Sequence, residues 1–176
     1  MTAERKPSNL EVEFTTHQNH QLDAAMDKIE HCVAQLSQKQ VWHRTMKTAN
    51  SVANLLIHLA GNLRQWAIVP CNGLEDRRDR ESEFAANESQ TVEEMMALLR
   101  CTVAEAKASI TACDEEILMC EHEIQGFKIS LLGALTHTTS HFVGHTHQII
   151  MLTRQILGDG YRFQWSPDSD RDKVPV

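Results

Sequence analysis

The chain of 176 residues lacks any stretch approaching 18 uninterrupted apolar residues, so nothing in it reads as a membrane-spanning helix. The N-terminal MTAERKPSNLEVEF has no apolar core, which predicts that no secretory leader is present. No period-two alternation runs long enough to build a sheet. There is no internal repeat and no low-complexity tract. A basic excess is also missing. The net charge is −7 and the pI about 5.8, which argues against nucleic acid and against anionic membrane surfaces as partners. The one basic cluster, Arg77, Arg78 and Arg80, is interleaved with Asp76, Asp79, Glu81 and Glu83. It reads as a solvated run of mixed charge. The five cysteines, Cys32, Cys71, Cys101, Cys113 and Cys120, are odd in number and contain no C-x2-C spacing. That excludes a disulfide framework and predicts reduced thiols in a cytoplasmic setting. Cys32 and Cys101 read as small buried hydrophobes, and no local cue marks a cysteine nucleophile.

What is present is helical periodicity. Hydrophobic content of 41% with 23% charged residues is ordinary for a globular chain of one domain. Four long segments carry apolar residues at three- and four-residue steps. The first spans 9–38, with Leu22, Met26, Ile29, Val33 and Leu36 inward and Ser8 with Glu11 as a capping box. The second spans 51–68 and is expected to close before Pro70. The third spans 92–112, opened by a Thr91–Glu94 capping box. The fourth spans 131–157, with Ser130 as N-cap and Gly158 past its end. A long polar crossover, residues 71–90, separates the second and third. Short apolar pieces at 117–119 and 127–129 are candidates for two strands. Tyr161, Phe163 and Trp165 are expected to pack on the bundle, ahead of a loose polar tail at 166–176. The pattern predicts an all-α, four-helix bundle forming a single domain over 1–176, with a long crossover between helices 2 and 3.

The chemistry lies in the histidines. His141 and His145, in THTTSHFVGHTHQII, stand at i and i+4, so a helix places both rings on one face. Two imidazoles at that spacing can grip one divalent ion. At about 100° per residue, His145 falls inside the apolar sector of the fourth helix, and His141 and Gln148 on its flank. His147 points away and His137 sits at the margin. A buried histidine satisfied by a carbonyl or hydroxyl is the competing reading. The third histidine, His58 in NLLIHLAGNLRQW, lies just beyond the apolar edge of the second helix, midway along it. His141 and His145 bracket the middle of the fourth. Aligned helices bring all three to one level, where three imidazoles leave a metal with open positions.

These features resemble the DinB/YfiT-like superfamily of metalloenzymes, which places one histidine midway along the second helix and a His-x3-His pair on the last. The phrase NLLIHLAGNLRQW followed by RDRESEFA is similar to one bacterial branch of that superfamily. The resemblance extends from the first helix to Leu157. It implies a DinB-like variant of the up-and-down bundle, homodimers, and a divalent metal such as zinc or nickel held by His58, His141 and His145. It also implies transferase or isomerase chemistry on a small thiol such as mycothiol, bacillithiol or glutathione. The chain departs from the pattern after His145. Many relatives carry Arg-Gly before the glutamine, where this chain has Thr146-His147.

Other residues have two readings each. Gln148 would hydrogen-bond a ligand or a neighbouring helix. Asn62, one turn from His58, would support the metal site or tie two helices together. Arg64 projects off the apolar face toward a loop or dimer contact. Arg78, Asp79, Arg80 and Glu83 would cover the site mouth or remain a solvated charge run. Ile57, Leu98 and Val143 fall outside the main apolar sectors and motivate the homodimer. No carboxylate base is visible beside the histidine motif, so a thiol transferase ranks above a metal-dependent hydrolase. A non-catalytic metal- or ligand-binding bundle in stress response is the third reading.

Overall fold

The computed structural model describes residues 8–86 and 90–164. Helix α1 (Asn9–Val33) starts at Ser8, whose Oγ accepts from the Glu11 N–H. The expected reciprocal bond is replaced: the Glu11 carboxylate accepts from the Glu115 N–H at 3.1 Å. The helix ends sooner than its periodicity suggests. Ser37 and Gln40 form a complete capping box that opens a separate short helix, α2 (Gln38–Val41). Helix α3 (Val52–Leu63) begins at the Ser51–Asn54 capping box.

The second long helix does not close before Pro70. It passes through a π-turn, Arg64–Ile68, into α4 (Val69–Asn72), and stops at Gly73, which adopts the left-handed conformation at φ 60°. Pro70 falls at the first turn of α4, after the wider i→i+5 spacing, where its missing N–H is tolerated. The crossover carries α5 (Arg80–Ala85), and α6 (Val92–Thr111) starts at the Thr91–Glu94 capping box. Residues 117–119 belong to a helix, α7 (Glu115–Met119), started by the Asp114 side chain. The hairpin follows it: β1 (Glu121–Ile124) pairs antiparallel with β2 (Phe127–Ser130) across Gln125–Gly126. Helix α8 (Leu131–Leu157) matches the expected span and cap.

Among the described residues the architecture is an all-α bundle with one small hairpin. Helix α1 packs against α6 and α8, and α3 packs against the same two. Thus α1 and α3 stand at opposite corners, which is why both connections around α3 are long. Leu22, Ile29, Leu55, Leu59, Leu99, Ile110, Leu135, Phe142 and Ile149 form the core, each fully or almost fully buried. Ile57 and Val143 pack partly against that same core, while Leu98 is 48% exposed. Tyr161 also docks on the core, and Arg154 lies over the Tyr161 and Phe163 rings. Trp165 and the 166–176 tail lie outside the described residues. No described helix is long and apolar enough to cross a membrane.

Phe142 sits on the face of α8 between the two histidine turns and is 1% exposed. We expect Phe142→Ala to lower unfolding free energy by about 3–5 kcal/mol, read as a reduced urea midpoint, while leaving helical circular dichroism intact in the absence of denaturant.

Candidate metal centre

Three helical positions supply the centre. His58 comes from α3, and His141 and His145 from successive turns of α8. One ligand-capable atom from each lies within 4.8 Å of the others. The His58 and His141 Nε2 atoms stand 2.9 Å apart. The ring centroids of His58 and His145 are 5.0 Å apart, and those of His141 and His145 4.3 Å. His137 extends the row: its ring stacks 5.9 Å from His141 and lies 4.3 Å from Trp66. His137 is exposed, and His141 and His145 are half-buried.

His58 is more enclosed than its wheel position suggests, at 4% exposed. The cause is the crossover. Asn54 Nδ2 donates to the carbonyls of Glu83 and Ala86, and Arg44 donates to the carbonyl of Phe84, so α5 is folded back over α3. Phe84 then lies with its ring 5.0 Å from that of His58, and the Arg80 guanidinium lies over the Phe84 ring at 5.3 Å. The charge run is therefore solvated only at residues 79–82, while its two ends turn inward. Arg78 and Glu83 side chains are 4% and 6% exposed. Arg78 Nε donates to Glu83 Oε1 at 2.7 Å, and Nη2 to Oε2 at 2.8 Å. This is a bidentate pair, the strong geometry for guanidinium and carboxylate. Asp79 caps α5 and Arg80 remains exposed.

The pair reaches the centre directly. Glu83 Oε2 lies 3.0 Å from His58 Nδ1. Burial alone would raise the Glu83 pKa. Hydrogen bonds and charge from Arg78 and His58 override it and hold the carboxyl below its usual range. An ionised carboxylate only accepts, so His58 Nδ1 carries the proton and Nε2 the lone pair. Gln148 Oε1 stands 2.9 Å from His145 Nδ1 and fixes that ring the same way. Asn62 Oδ1 accepts from Thr138 Oγ1 at 2.8 Å, tying α3 to α8 one turn from His58. Arg64 pairs with Glu105 at the surface.

A wider net holds the ion pair. Arg78 Nη1 donates to Gln65 Oε1, Gln65 Nε2 donates to Asp76 Oδ2, and Gln125 Nε2 donates to Gln65 Oε1 at 2.7 Å. Gln65 belongs to the π-turn and Gln125 to the hairpin tip. Gly61 gives the carboxylate its place, since a Cβ there would overlap Glu83 Oε1 and meet Cδ at 2.9 Å.

The donor set fits a divalent ion. Two imidazoles have their outer nitrogens tethered, which leaves the inner lone pairs free. Without an ion, two ring nitrogens 2.9 Å apart share a proton; an ion would take its place once that proton moved to the other nitrogen of the His141 ring. Burial, then the nearby His145, His58, His137 and Arg78, pulls the His141 pKa down to about 4. Burial also lowers that of His145, against the Gln148 hydrogen bond. Both rings are thus held in the neutral, ligating form at neutral pH. Three ligands leave coordination positions open.

Comparison with known proteins agrees with this architecture. Residues 9–167 match the family described as "Protein of unknown function (DUF1572)", and the chain belongs to that family. No curated protein matches it. A crystal structure of a conserved protein from Enterococcus faecalis superposes with a TM-score of 0.71 at 19% identity, covering 82% of this chain and 97% of that one. A DinB-like protein from Bacillus subtilis superposes at 0.61 with 16% identity, covering 80% and 91%. The fold is DinB-like, with three histidines positioned to bind a metal ion.

Two outcomes follow for this centre. Glu83→Gln and Gly61→Ala are each expected to weaken metal binding by about 10–100-fold, measured by competition with a chromogenic chelator. In the metal-free protein, the His141 ring should titrate near pH 4 by NMR. Its unfolded value is 6.5, so the unfolded chain takes up a proton first as pH falls. Stability should therefore decline from about pH 6.5 toward 4 and level off below. Glu83 acts in the same direction, because its lowered pKa stabilises the fold above the ordinary carboxylate range and that contribution is lost on acidification. A urea midpoint unchanged between pH 7 and 4.5 would contradict this.

Proposed function

We propose that this chain is a metal-dependent enzyme that activates a small thiol, of S-transferase or isomerase type, with His58, His141 and His145 holding one zinc or nickel ion. The supporting observation is the convergence of three imidazoles, two of them tethered by Glu83 and Gln148, on a half-buried point with ligand positions to spare. Imidazole sets suit zinc and nickel. An ion there supplies Lewis acidity, lowering the pKa of a thiol or water at an open position.

The protein's own residues favour the thiol. Glu83 is the carboxylate beside the centre, but Arg78 and His58 occupy it, so it does not stand ready as a base. A thiol begins near pKa 8.5 and needs only a modest depression to ionise at neutral pH. Water needs a far larger one, and a hydrolase would gain more from a free base. Asn62 and Thr138 fix the spacing of α3 and α8 at the site, and Gln148 keeps His145 in one tautomer. Small-thiol chemistry is also what the family resemblance implies. We further propose a cytoplasmic homodimer acting on a small molecule, with no nucleic acid or membrane partner. Light scattering at micromolar concentration tests the dimer, and a monomer would exclude it.

The central experiment is metal analysis of the purified chain followed by conjugation assays with several low-molecular-weight thiols and a chromogenic electrophile. We expect about one zinc or nickel per chain and thiol-dependent turnover, both lost in His145→Ala while helical circular dichroism survives. Chelation should lower the melting temperature modestly and leave the helices in place. Cooperative unfolding on chelation would identify a structural metal. Metal without turnover would favour a binding bundle, and turnover of esters or amides without thiol would favour a hydrolase.

A further inference from the structure

Away from the histidines, the sulfurs of Cys71 and Cys113 lie 3.4 Å apart. Cys71 is in α4, at the base of the crossover, and Cys113 follows the last turn of α6. Their settings differ. Cys71 is half-buried and within reach of a small reagent, whereas Cys113 is 3% exposed and also bonds the Ser109 carbonyl at 3.2 Å. The elements behind them are fixed independently, since Asn72 Nδ2 donates to both the Ile68 carbonyl and Ser109 Oγ. Cys32 is buried and hydrogen-bonds Tyr161, while Cys101 and Cys120 are exposed.

We propose that Cys71 and Cys113 form a reversible thiol–disulfide exchange site, which reacts with a low-molecular-weight disulfide and closes into an intramolecular bond. A disulfide is about 2.05 Å long, so the sulfurs need approach by only about 1.4 Å, a movement within the scope of small side-chain rotations. The chemistry balances in two steps. Cys71 passes its proton to the neighbouring Cys113 sulfur as it attacks one sulfur of the small disulfide. A mixed disulfide forms at Cys71, and one small thiolate leaves and takes up the Cys113 proton. Cys113 then attacks the Cys71 sulfur, the mixed disulfide breaks, and the second small thiolate leaves and is protonated by solvent. The two protein thiols are oxidised by two electrons and one small disulfide is reduced to two thiols. The sulfur–sulfur contact lowers the Cys113 pKa and raises that of Cys71, so Cys113 suits the roles of base for Cys71 and then of resolving nucleophile. The product would pin the point where the crossover departs, just ahead of Asp76 and Arg78, to the end of α6.

The test uses the full, reduced chain and oxidised glutathione as probe. We expect titratable thiols under denaturing conditions to fall from five to three. Peptide mapping should link Cys71 to Cys113, with fragmentation separating Cys113 from Cys120, which shares its tryptic peptide. Dithiothreitol should restore all five. The oxidised form should melt roughly 5–15 °C higher. Cys113→Ala should stop at the mixed disulfide on Cys71. Cys71→Ser, a change at a half-exposed position, should leave Cys113 unmodified. Glutathione confined to Cys101 and Cys120, or links scattered among all five cysteines, would overturn the proposal. So would an oxidised form that melts no higher than the reduced one.

Discussion

The buried ion pair between Arg78 and Glu83 is the constraint on which the rest of the site depends. Removing two charges from water costs several kcal/mol, and their attraction offsets that only when the remaining lone pairs and protons are satisfied. Here they are. Both Glu83 oxygens receive Arg78, and Oε2 also faces His58. The remaining guanidinium nitrogen goes to Gln65, which is in turn held by Asp76 and Gln125. Breaking any outer member leaves a buried charge short of a partner, so the π-turn, the crossover and the hairpin tip are energetically linked to one imidazole on α3. Gly61 belongs to the same arrangement, because only a residue without Cβ lets the carboxylate seat so close to the helix backbone.

That linkage gives a reason for local features that are otherwise unfavourable. Gln125 has φ 53°, a left-handed conformation that suits glycine or asparagine in a two-residue hairpin turn. Glutamine is long enough to reach Gln65 from that position, and asparagine is shorter by one methylene. The π-turn departs from ideal helical spacing at Arg64–Ile68, the segment that turns Gln65 toward Arg78 and carries Trp66 to His137. Deviations of this kind cost free energy and persist where neighbouring contacts fix them. They are concentrated around the histidines, at the middle of the bundle.

The parts of this structure that were legible in the sequence are those set by local period and local caps. The span of α8, the Thr91–Glu94 box and the His141–His145 pair follow from residues a few positions apart on a helix, and His58 joins them because it sits midway along a helix of the same bundle. What escaped depends on distant contacts. Nothing within RDRESEFA announces that Arg78 and Glu83 are buried, since a run of alternating charge has the same composition on a surface as over a helix. The signal that was present lay elsewhere, in Gly61 and Asn54 on the polar margin of α3, where one makes room and the other binds the Glu83 and Ala86 carbonyls. The helix through Pro70 escaped because the π-turn moves Pro70 into a first helical turn, and the helical Ile117–Met119 segment because its apolar run outweighed the local signal that was there, the Asp114 cap.

The distribution of interactions also bears on what a metal would do for stability. Its three ligands sit on two helices that are already clamped together by Leu55, Leu59, Leu135 and Phe142, and by the Asn62–Thr138 bond. The outer side of the site is paired without an ion: His58 bonds both Glu83 and His141, and His145 bonds Gln148. Binding an ion therefore requires a tautomer shift at one ring, and does not create the site from disordered chain. In small zinc domains the reverse holds, because the ligands have no fixed relation until metal arrives. A preformed set of imidazoles means that little of an ion's binding free energy would be needed to order its ligands, so metal removal would leave the helices in place.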